Sequence, residues 1–434
     1  MLKLIKNKKC NFFSKLEKLL DKRKTLNNKV ELKVKKILND IKKNKDKALI
    51  KYERKYSRNK NISLKEIKFS EKEIKTTIKK LDQKTKQAID LAFDRITKFH
   101  KQQKLISYTV TDKYKNSFSY KSNAIEKVGI YVPGGIASYP SSVLMNCIPA
   151  MIAGVKEIYM TTPSENFFYN PAVLYAAKKC KVKEIYKAGG AQAIAAMAYG
   201  TKTIKKVDKI VGPGNAYVAA AKKEVFGTVG IDMIAGPSEV TIVADKNSNP
   251  IWVAADLIAQ AEHDQNSQSI LISDDIKTIQ KINIQIRDQL KVLSKKTIAS
   301  KSIKKFGLAI LAKNKKDICK TINIIAPEHL EINTKNPRKF LDEVTNAGSI
   351  FLGRYSPEAV GDYLAGPNHV LPTSGTARFS SGLSVYDFLK RFSVIEMSKS
   401  GIERLGASVI NLAKYENLDG HANSINVRLK KGYK

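Results

Sequence analysis

Cysteine, histidine and long apolar runs are all scarce in this chain of 434 residues. Its four cysteines, Cys10, Cys147, Cys180 and Cys319, are scattered and form no CxxC pair. That excludes a disulfide framework and a cysteine-rich structural metal site, and suits free thiols in a reducing cytoplasm. No apolar run approaches the ~20 residues that a membrane span needs. The opening residues carry Lys3, Lys6, Lys8 and Lys9 without the apolar stretch of a secretory signal, so a cytoplasmic protein is expected. Only five histidines are present: His100, His263, His329, His369 and His421.

Positive charge, by contrast, is abundant. A formal net charge of +38 raises the question of nucleic acid or an anionic surface. Against that, the lysines are interspersed with Asn and Ile on amphipathic patterns, arginine is sparse, and no aromatic–basic alternation offers a stacking platform. An AT-biased coding sequence explains Lys, Asn and Ile equally well. Nucleic acid is therefore not expected as the primary partner, and neither is a membrane.

Helical patterns run from 13 to 24, from 29 to 56, and from a capping-box signature at Ser70–Glu73 past Phe99. His100 ends that last stretch and reads as a surface residue. Residues 107–127 alternate like a hairpin or an extended crossing. At Val128 the pattern changes to α/β. Strands and helices then alternate, and three strands run into glycine-rich turns: Tyr131-Val132-Pro133-Gly134-Gly135, Gly189-Gly190-Ala191-Gln192 and Gly212-Pro213-Gly214-Asn215. Strand, glycine and helix in that order bring backbone N–H groups and a helix N-terminus to a polar ligand. None of the three is a GxGxxG fingerprint, so the pattern alone does not assign a dinucleotide. A second α/β run begins at Glu239 and includes a helix over 337–345. The last fifty residues form a strand and two helices, too thin to enclose a core.

Four short segments carry chemistry. Gln260 and His263 stand at i and i+3 near the end of a helical pattern, so both side chains share one face. Alone, the pair is also what a capped polar helix end looks like. Glu328 and His329 are adjacent after Pro327, and they serve one pocket only if the backbone bends there. Asp362 and His369 lie on a Gly/Pro-rich loop, and Glu416 and His421 lie in the tail. Imidazoles, a carboxylate and an amide oxygen form an N/O donor set for Zn²⁺ or a similar cation.

The three glycine-rich turns Tyr131–Gly135, Gly189–Ala196 and Val211–Asn215, with Ile231–Glu239, Ala326–Leu330 and Gly366–Phe379, resemble the histidinol dehydrogenase family from about residue 27 to the C-terminus. The resemblance implies an α/β fold of two Rossmann-like domains, one inserted in the other, with small N-terminal helical and C-terminal appendage domains. Its implied boundaries are 1–26 for the helical segment, 27–132 plus 238–383 for the discontinuous domain, 133–237 for the inserted domain and 384–434 for the appendage. It also implies zinc held by Gln260, His263, Asp362 and His421, and Glu328 and His329 as the acid/base pair. Substrate contacts are implied for Ser238, His369 and Glu416, together with the metal ligands and His329. NAD contacts are implied for Tyr131, Gln192 and Asn215. The implied reaction oxidises L-histidinol to L-histidine with two NAD⁺ by way of the aldehyde, as the last step of histidine biosynthesis. A homodimer that exchanges its tail, so that each site borrows Glu416 and His421, is implied as well.

The chemistry asks for a base of near-neutral pKa to take the alcohol proton, and a histidine such as His329 suits it. A zinc hydrolase would use the same ligands but leave the three glycine turns without a purpose. A basic RNA-binding protein would explain the charge and leave the histidine–carboxylate segments unexplained.

Overall fold

The structure, a computed structural model, describes residues 1–7, 11–21, 28–57, 60–103, 106–134, 139–163 and 169–430. Cys10, Lys8, Lys9, Gly135 and the 22–24 end of the first expected helix lie outside them. The chain divides into one large unit, Met1–Gln103 with Glu126–Asp387, and a small one, Lys104–Ile125 with Phe388–Lys434. The hairpin expected at 107–127 thus groups with the tail rather than with the discontinuous domain.

Runs of Val, Ile and Leu four to six residues long make strands buried on both faces, and such strands pair in parallel when helices cover them. In the large unit this happens twice. One sheet contains β1 (Lys3–Lys6), β9 (Glu239–Ala244), β10 (Gln268–Ser273), β11 (Leu308–Leu311), β12 (His329–Asn333) and β13 (Ser349–Leu352), in the order β1-β11-β10-β9-β12-β13. All its pairings are parallel. Every residue of β9 and β10 is buried. The helices Pro250–Ala261, Ile276–Val292 and Lys296–Phe306 pack Val253, Leu257, Ile282 and Ile303 on one face. Phe12–Asp21 and Lys315–Ile325 cover the other with Leu16, Ile318 and Ile322.

The second sheet contains β4 (Lys127–Tyr131), β5 (Glu157–Thr161), β6 (Glu184–Tyr186), β7 (Lys209–Val211) and β8 (Gly230–Ile231), in the order β6-β5-β4-β7-β8. It too is wholly parallel. The long helix Asn28–Tyr56, kinked at Lys45, lays Val34, Ile41 and Leu49 against the Ala-rich helix Gly190–Tyr199 in one core. Both sheets wind outward from a central strand, β9 or β4, then return to its other side. That is the doubly wound topology with a switch point beside the central strand.

The small unit holds β2 (Tyr108–Thr111), β3 (Ser117–Ala124) and β14 (Leu389–Glu396) in one antiparallel sheet. Two helices follow, Lys399–Tyr415 and Asp419–Leu429.

Several expectations are corrected. The N-terminal segment is not purely helical, because Lys3–Lys6 adds an edge strand to β11. The lysines at its two ends suit an edge, where charge discourages further pairing. The helix expected from Ser70 past Phe99 breaks into Glu71–Ile78 and Gln83–His100, since the Asp82 carboxylate accepts from Thr85 N–H and starts a new helix. The helix expected over 337–345 shrinks to a single 3₁₀ turn, Pro337–Phe340. His100 is no surface residue: it is fully buried, with Nδ1 2.9 Å from Gln103 Oε1. Its neighbours Phe99 and Lys101 are the exposed ones.

Candidate active site

The bend that Pro327 suggests begins one residue earlier. Ala326 caps the Lys315–Ile325 helix in a left-handed conformation (φ 48°, ψ 62°). After that turn both adjacent side chains reach the start of β9. The Glu328 Oε2 accepts from Glu239 N–H at 2.8 Å, and His329 Nδ1 lies 3.0 Å from the Glu239 carbonyl oxygen. Both residues are buried. With Nδ1 on a carbonyl, the His329 ring carries its proton there and leaves Nε2 as the basic nitrogen. Among the described residues Nε2 is buried and meets no hydrogen-bond partner.

Burial, first of all, lowers the His329 pKa to about 4, partly opposed by the Asp362 carboxylate. The near-neutral base expected from the sequence is therefore corrected to an imidazole held firmly neutral. The cause is desolvation, which penalises the charged form.

Around this ring the fold gathers carboxylates. Glu358 Oε1 is 3.6 Å and Glu328 Oε2 3.7 Å from His329 Nδ1. The donor atoms of His329, Glu358 and Asp362 lie within 4.8 Å of one another. Glu358 is fully enclosed, and burial, followed by repulsion from Asp362, Glu328, Glu331 and Asp256, raises its pKa well above the usual carboxylate value. Glu331, which accepts from Glu358 N–H at 2.7 Å, is raised by burial and by Asp256. Asp256 is raised to about 6, again chiefly by burial. So dense a group of acids in a chain of net charge +38 is a place where a cation relieves repulsion.

Gln260 is fully buried in the last turn of its helix. Its amide satisfies its neighbours with Nε2 turned to Glu358, donating to Oε2 at 2.8 Å and also to Oε1, while its oxygen accepts from Glu239 N–H at 3.3 Å. His263 is not on that helix as expected. The helix ends at Ala261, Glu262 caps it, and His263 sits exposed in the following turn. Asp362 lies in the last turn of a short helix, Glu358–Tyr363, and its carbonyl oxygen lies 2.9 Å from His369 Nδ1. Burial lowers the pKa of His369 as well. Ser238 directly precedes β9, and its carbonyl accepts from Gln268 N–H at 3.0 Å. Glu416 and His421 both belong to the small unit, where both are exposed.

Within the large unit, Gln260, Glu328, His329, Glu358 and Asp362 crowd at the N-terminal edge of the β9-centred sheet, where the helices Pro250–Ala261 and Lys315–Ile325 end. Helix C-termini present partial negative charge and favour cations. An amide oxygen, a carboxylate and imidazoles at such an edge, with one buried imidazole nitrogen unpartnered, suit a divalent N/O-coordinated ion.

The glycine turns lie at the opposite, C-terminal edge of the other sheet. Tyr131 ends β4, and its hydroxyl accepts from Gly190 N–H at 3.1 Å. Burial raises its pKa to about 12. Gln192 is buried in the first turn of the Gly190–Tyr199 helix. Asn215 caps the Ala216–Val225 helix, accepting from Tyr217 N–H at 3.0 Å and Val218 N–H at 3.2 Å. Gly212 adopts φ +117° beside β4, and a Cβ there would overlap the Tyr131 carbonyl oxygen. Beneath this turn Lys222 and Asp232 form a buried ion pair, and Asp232 Oδ2 accepts from Gly212 N–H at 2.8 Å.

Sequence reasoning did not single out Glu358, Glu331, Asp256 or Glu53. Glu358 stands four residues before Asp362, on the same helical face, which is the one signal that pointed to it. Nothing local marks Glu53, which lies in a lysine-rich helix.

Doubly wound sheets with opposed polar edges, one holding a buried base among acids and the other glycine turns, define an α/β enzyme equipped for proton and group transfer beside a polar ligand. Comparison narrows the class. A family profile described as histidinol dehydrogenase matches residues 20–429. A histidinol dehydrogenase of Pelagibacter ubique (strain HTCC1062) is 57% identical over 435 residues, covering 99% of this chain and all of that protein. One of Nitrosomonas europaea is 46% identical over 418 residues, covering 96% of this chain and 97% of the relative. The crystal structure of histidinol dehydrogenase from Elizabethkingia anophelis superposes with a TM-score of 0.91 at 40% identity, covering 99% of this chain and 98% of that one. The chain belongs to the histidinol dehydrogenase family, a family of oxidoreductases.

Proposed function

We propose that the chain oxidises L-histidinol to L-histidine in two NAD-dependent steps, with one zinc ion per subunit, in the cytoplasm, as the last step of histidine biosynthesis. The observation that carries the reading is the neutral His329, whose buried Nε2 has no partner among the described residues.

In the first oxidation His329 Nε2 takes the substrate hydroxyl proton as the carbinol hydride departs. The Asp362 carboxylate lies close enough to stabilise the imidazolium as it forms. In the second, Glu328 removes a proton from the water that adds to the aldehyde, and His329 takes the proton left on the hydrate as the second hydride leaves. The first step yields one hydride and one proton, the second one hydride and two protons with the product left as a carboxylate, and NAD, when bound, supplies the hydride acceptor. Tyr131, Gln192 and Asn215 would contact it from the three turns. Zinc would be held by Gln260, His263 and Asp362, with His421 from a second copy, and its chemistry would be to template the substrate's imidazole and amine. Ser238, His369 and Glu416 would orient the substrate beside it.

Two features favour a homodimer with shared sites. His421 and Glu416 are solvent-facing in a unit too small to need them for folding. That unit also exposes Val110, Phe118, Phe392, Ile395, Leu412 and Tyr415, an apolar surface fit for a second copy.

The test is the amount of NADH formed per L-histidinol consumed, before and after chelation and after zinc is restored. Two NADH, lost on chelation and recovered with zinc, is the expected result. One NADH would mean that the aldehyde escapes, and none would return the site to the hydrolase reading.

A further inference from the structure

Glu53 is the one carboxylate of the long Asn28–Tyr56 helix that is buried, with 1% of its surface exposed. Its Oε1 accepts from Gly189 N–H at 2.9 Å and from the Gln192 side-chain amide at 2.8 Å. The Tyr131 hydroxyl stands next in the same group, accepting from Gly190 N–H. No described lysine or arginine pairs with Glu53, although the chain carries 78 such residues. Burial raises its pKa to about 7, against which the Gly189 and Gln192 hydrogen bonds act. A buried carboxylate with no cation is a liability for folding, so its presence asks for a reason.

Its position supplies one. The Gly190–Tyr199 helix has no cap of its own at Gly189, and Glu53 provides the cap from another element. A carboxylate at a helix N-terminus is favourable in itself, and it occupies the place that a phosphate would take. The same oxygen fixes the Gln192 amide, which has its own oxygen near the Cβ position of Gly190. Gly190 (φ +60°) leaves that space open.

We propose that Glu53 is a positioning residue of the cofactor subsite, presetting Gln192 and the Gly189–Gly190 turn beside Tyr131 so that this turn grips an uncharged part of the dinucleotide. The proposal rests on the NAD reading above. The pyrophosphate then belongs at another turn, because the end of this helix is already filled by a carboxylate.

The experiment measures NADH affinity and steady-state constants for the full-length zinc enzyme and for Glu53→Ala, Glu53→Gln and Glu53→Asp. Glu53→Ala is expected to weaken NADH binding and raise the KM for NAD⁺ roughly tenfold, corresponding to the loss of about one hydrogen bond. The KM for L-histidinol and the kcat at saturating NAD⁺ should stay within about twofold, a split that a general structural defect would not give. Glu53→Gln keeps an acceptor oxygen and should recover affinity to within about threefold of the parent. Should Glu53→Ala not fold, Glu53→Asp, which withdraws the acceptor by one methylene, should show an intermediate loss confined to NAD. Unchanged or tighter NADH binding in the variants would overturn the proposal, because removing negative charge from a phosphate site tightens it. Equal losses in Glu53→Gln and Glu53→Ala would overturn it too. If the parent enzyme itself fails to bind NADH, the NAD reading falls first, an outcome distinct from a parent that binds and variants that bind alike.

Discussion

The β9-centred and β4-centred sheets of the large unit are wound alike, yet their polar groups collect at opposite edges. In the β4-centred sheet the turns after β4, β6 and β7 are rich in glycine, and each leads toward a helix N-terminus. This is the edge at which doubly wound sheets ordinarily take ligands. In the β9-centred sheet the concentration is at the N-terminal edge, where Ser238 and Glu328 directly precede β9 and β12 and His329 opens β12. Helix N-termini carry partial positive charge and welcome anions, whereas C-termini carry the reverse. The difference teaches that one topology offers two electrostatically distinct edges. A cation-binding acid cluster suits the edge where the Pro250–Ala261 and Lys315–Ile325 helices end, and a dinucleotide suits the edge where helices begin.

If the two edges divide the work in this way, variants at each should fail differently. The largest effect is expected for His329→Asn, which removes the proposed base and should lower kcat by about 10²- to 10⁴-fold while NADH binding stays as in the parent. A parallel loss of NADH affinity, measured by fluorescence titration, would break the division. Next comes Gly212→Ala at the other edge. The added Cβ overlaps the Tyr131 carbonyl at a left-handed φ, so the fold should lose roughly 3 kcal/mol or more in denaturant unfolding. Zinc content by mass spectrometry should be unaffected, and a zinc-depleted Gly212→Ala protein would show that the edges are coupled.

The smallest effect concerns stability and pH. The raised pKa of Glu53 means that its carboxyl remains protonated in the fold while the unfolded chain ionises from about 4.5 upward. Stability from this group is therefore full below that value and is lost as pH climbs towards about 7. Relative to the parent, Glu53→Gln should gain unfolding free energy between pH 4.5 and 7, by at most about 3 kcal/mol at the upper end, read from denaturant unfolding across that range. A difference that does not change with pH would show that Glu53 ionises as freely in the fold as outside it.

Much of this arrangement is legible in the chain itself. Uninterrupted β-branched runs such as Glu239–Ala244 announce strands covered on both faces, and strand–glycine–helix segments announce the turns, because both patterns are local. Pro327 likewise signals the bend that turns Glu328 and His329 to one strand. Local pattern fails where burial is decided by distant neighbours. His100 reads as surface beside Phe99 and Lys101 but is enclosed, with Gln103 also accepting from Val385 N–H. The Lys3–Lys6 strand exists only because β11 offers an open edge, and its short length hides it among lysines.

Residue types, their order and the hydrophobic rhythm thus determined the α/β class, the positions of the turns and the histidine–carboxylate segments. Tertiary structure alone decided that Glu358 would stand between Gln260 and His329, that desolvation would hold His329 neutral, and that Glu53 would cap a helix 136 residues away. The reason is that propensity and periodicity act between neighbours in sequence, whereas desolvation and charge repulsion depend on which groups the packed chain brings together.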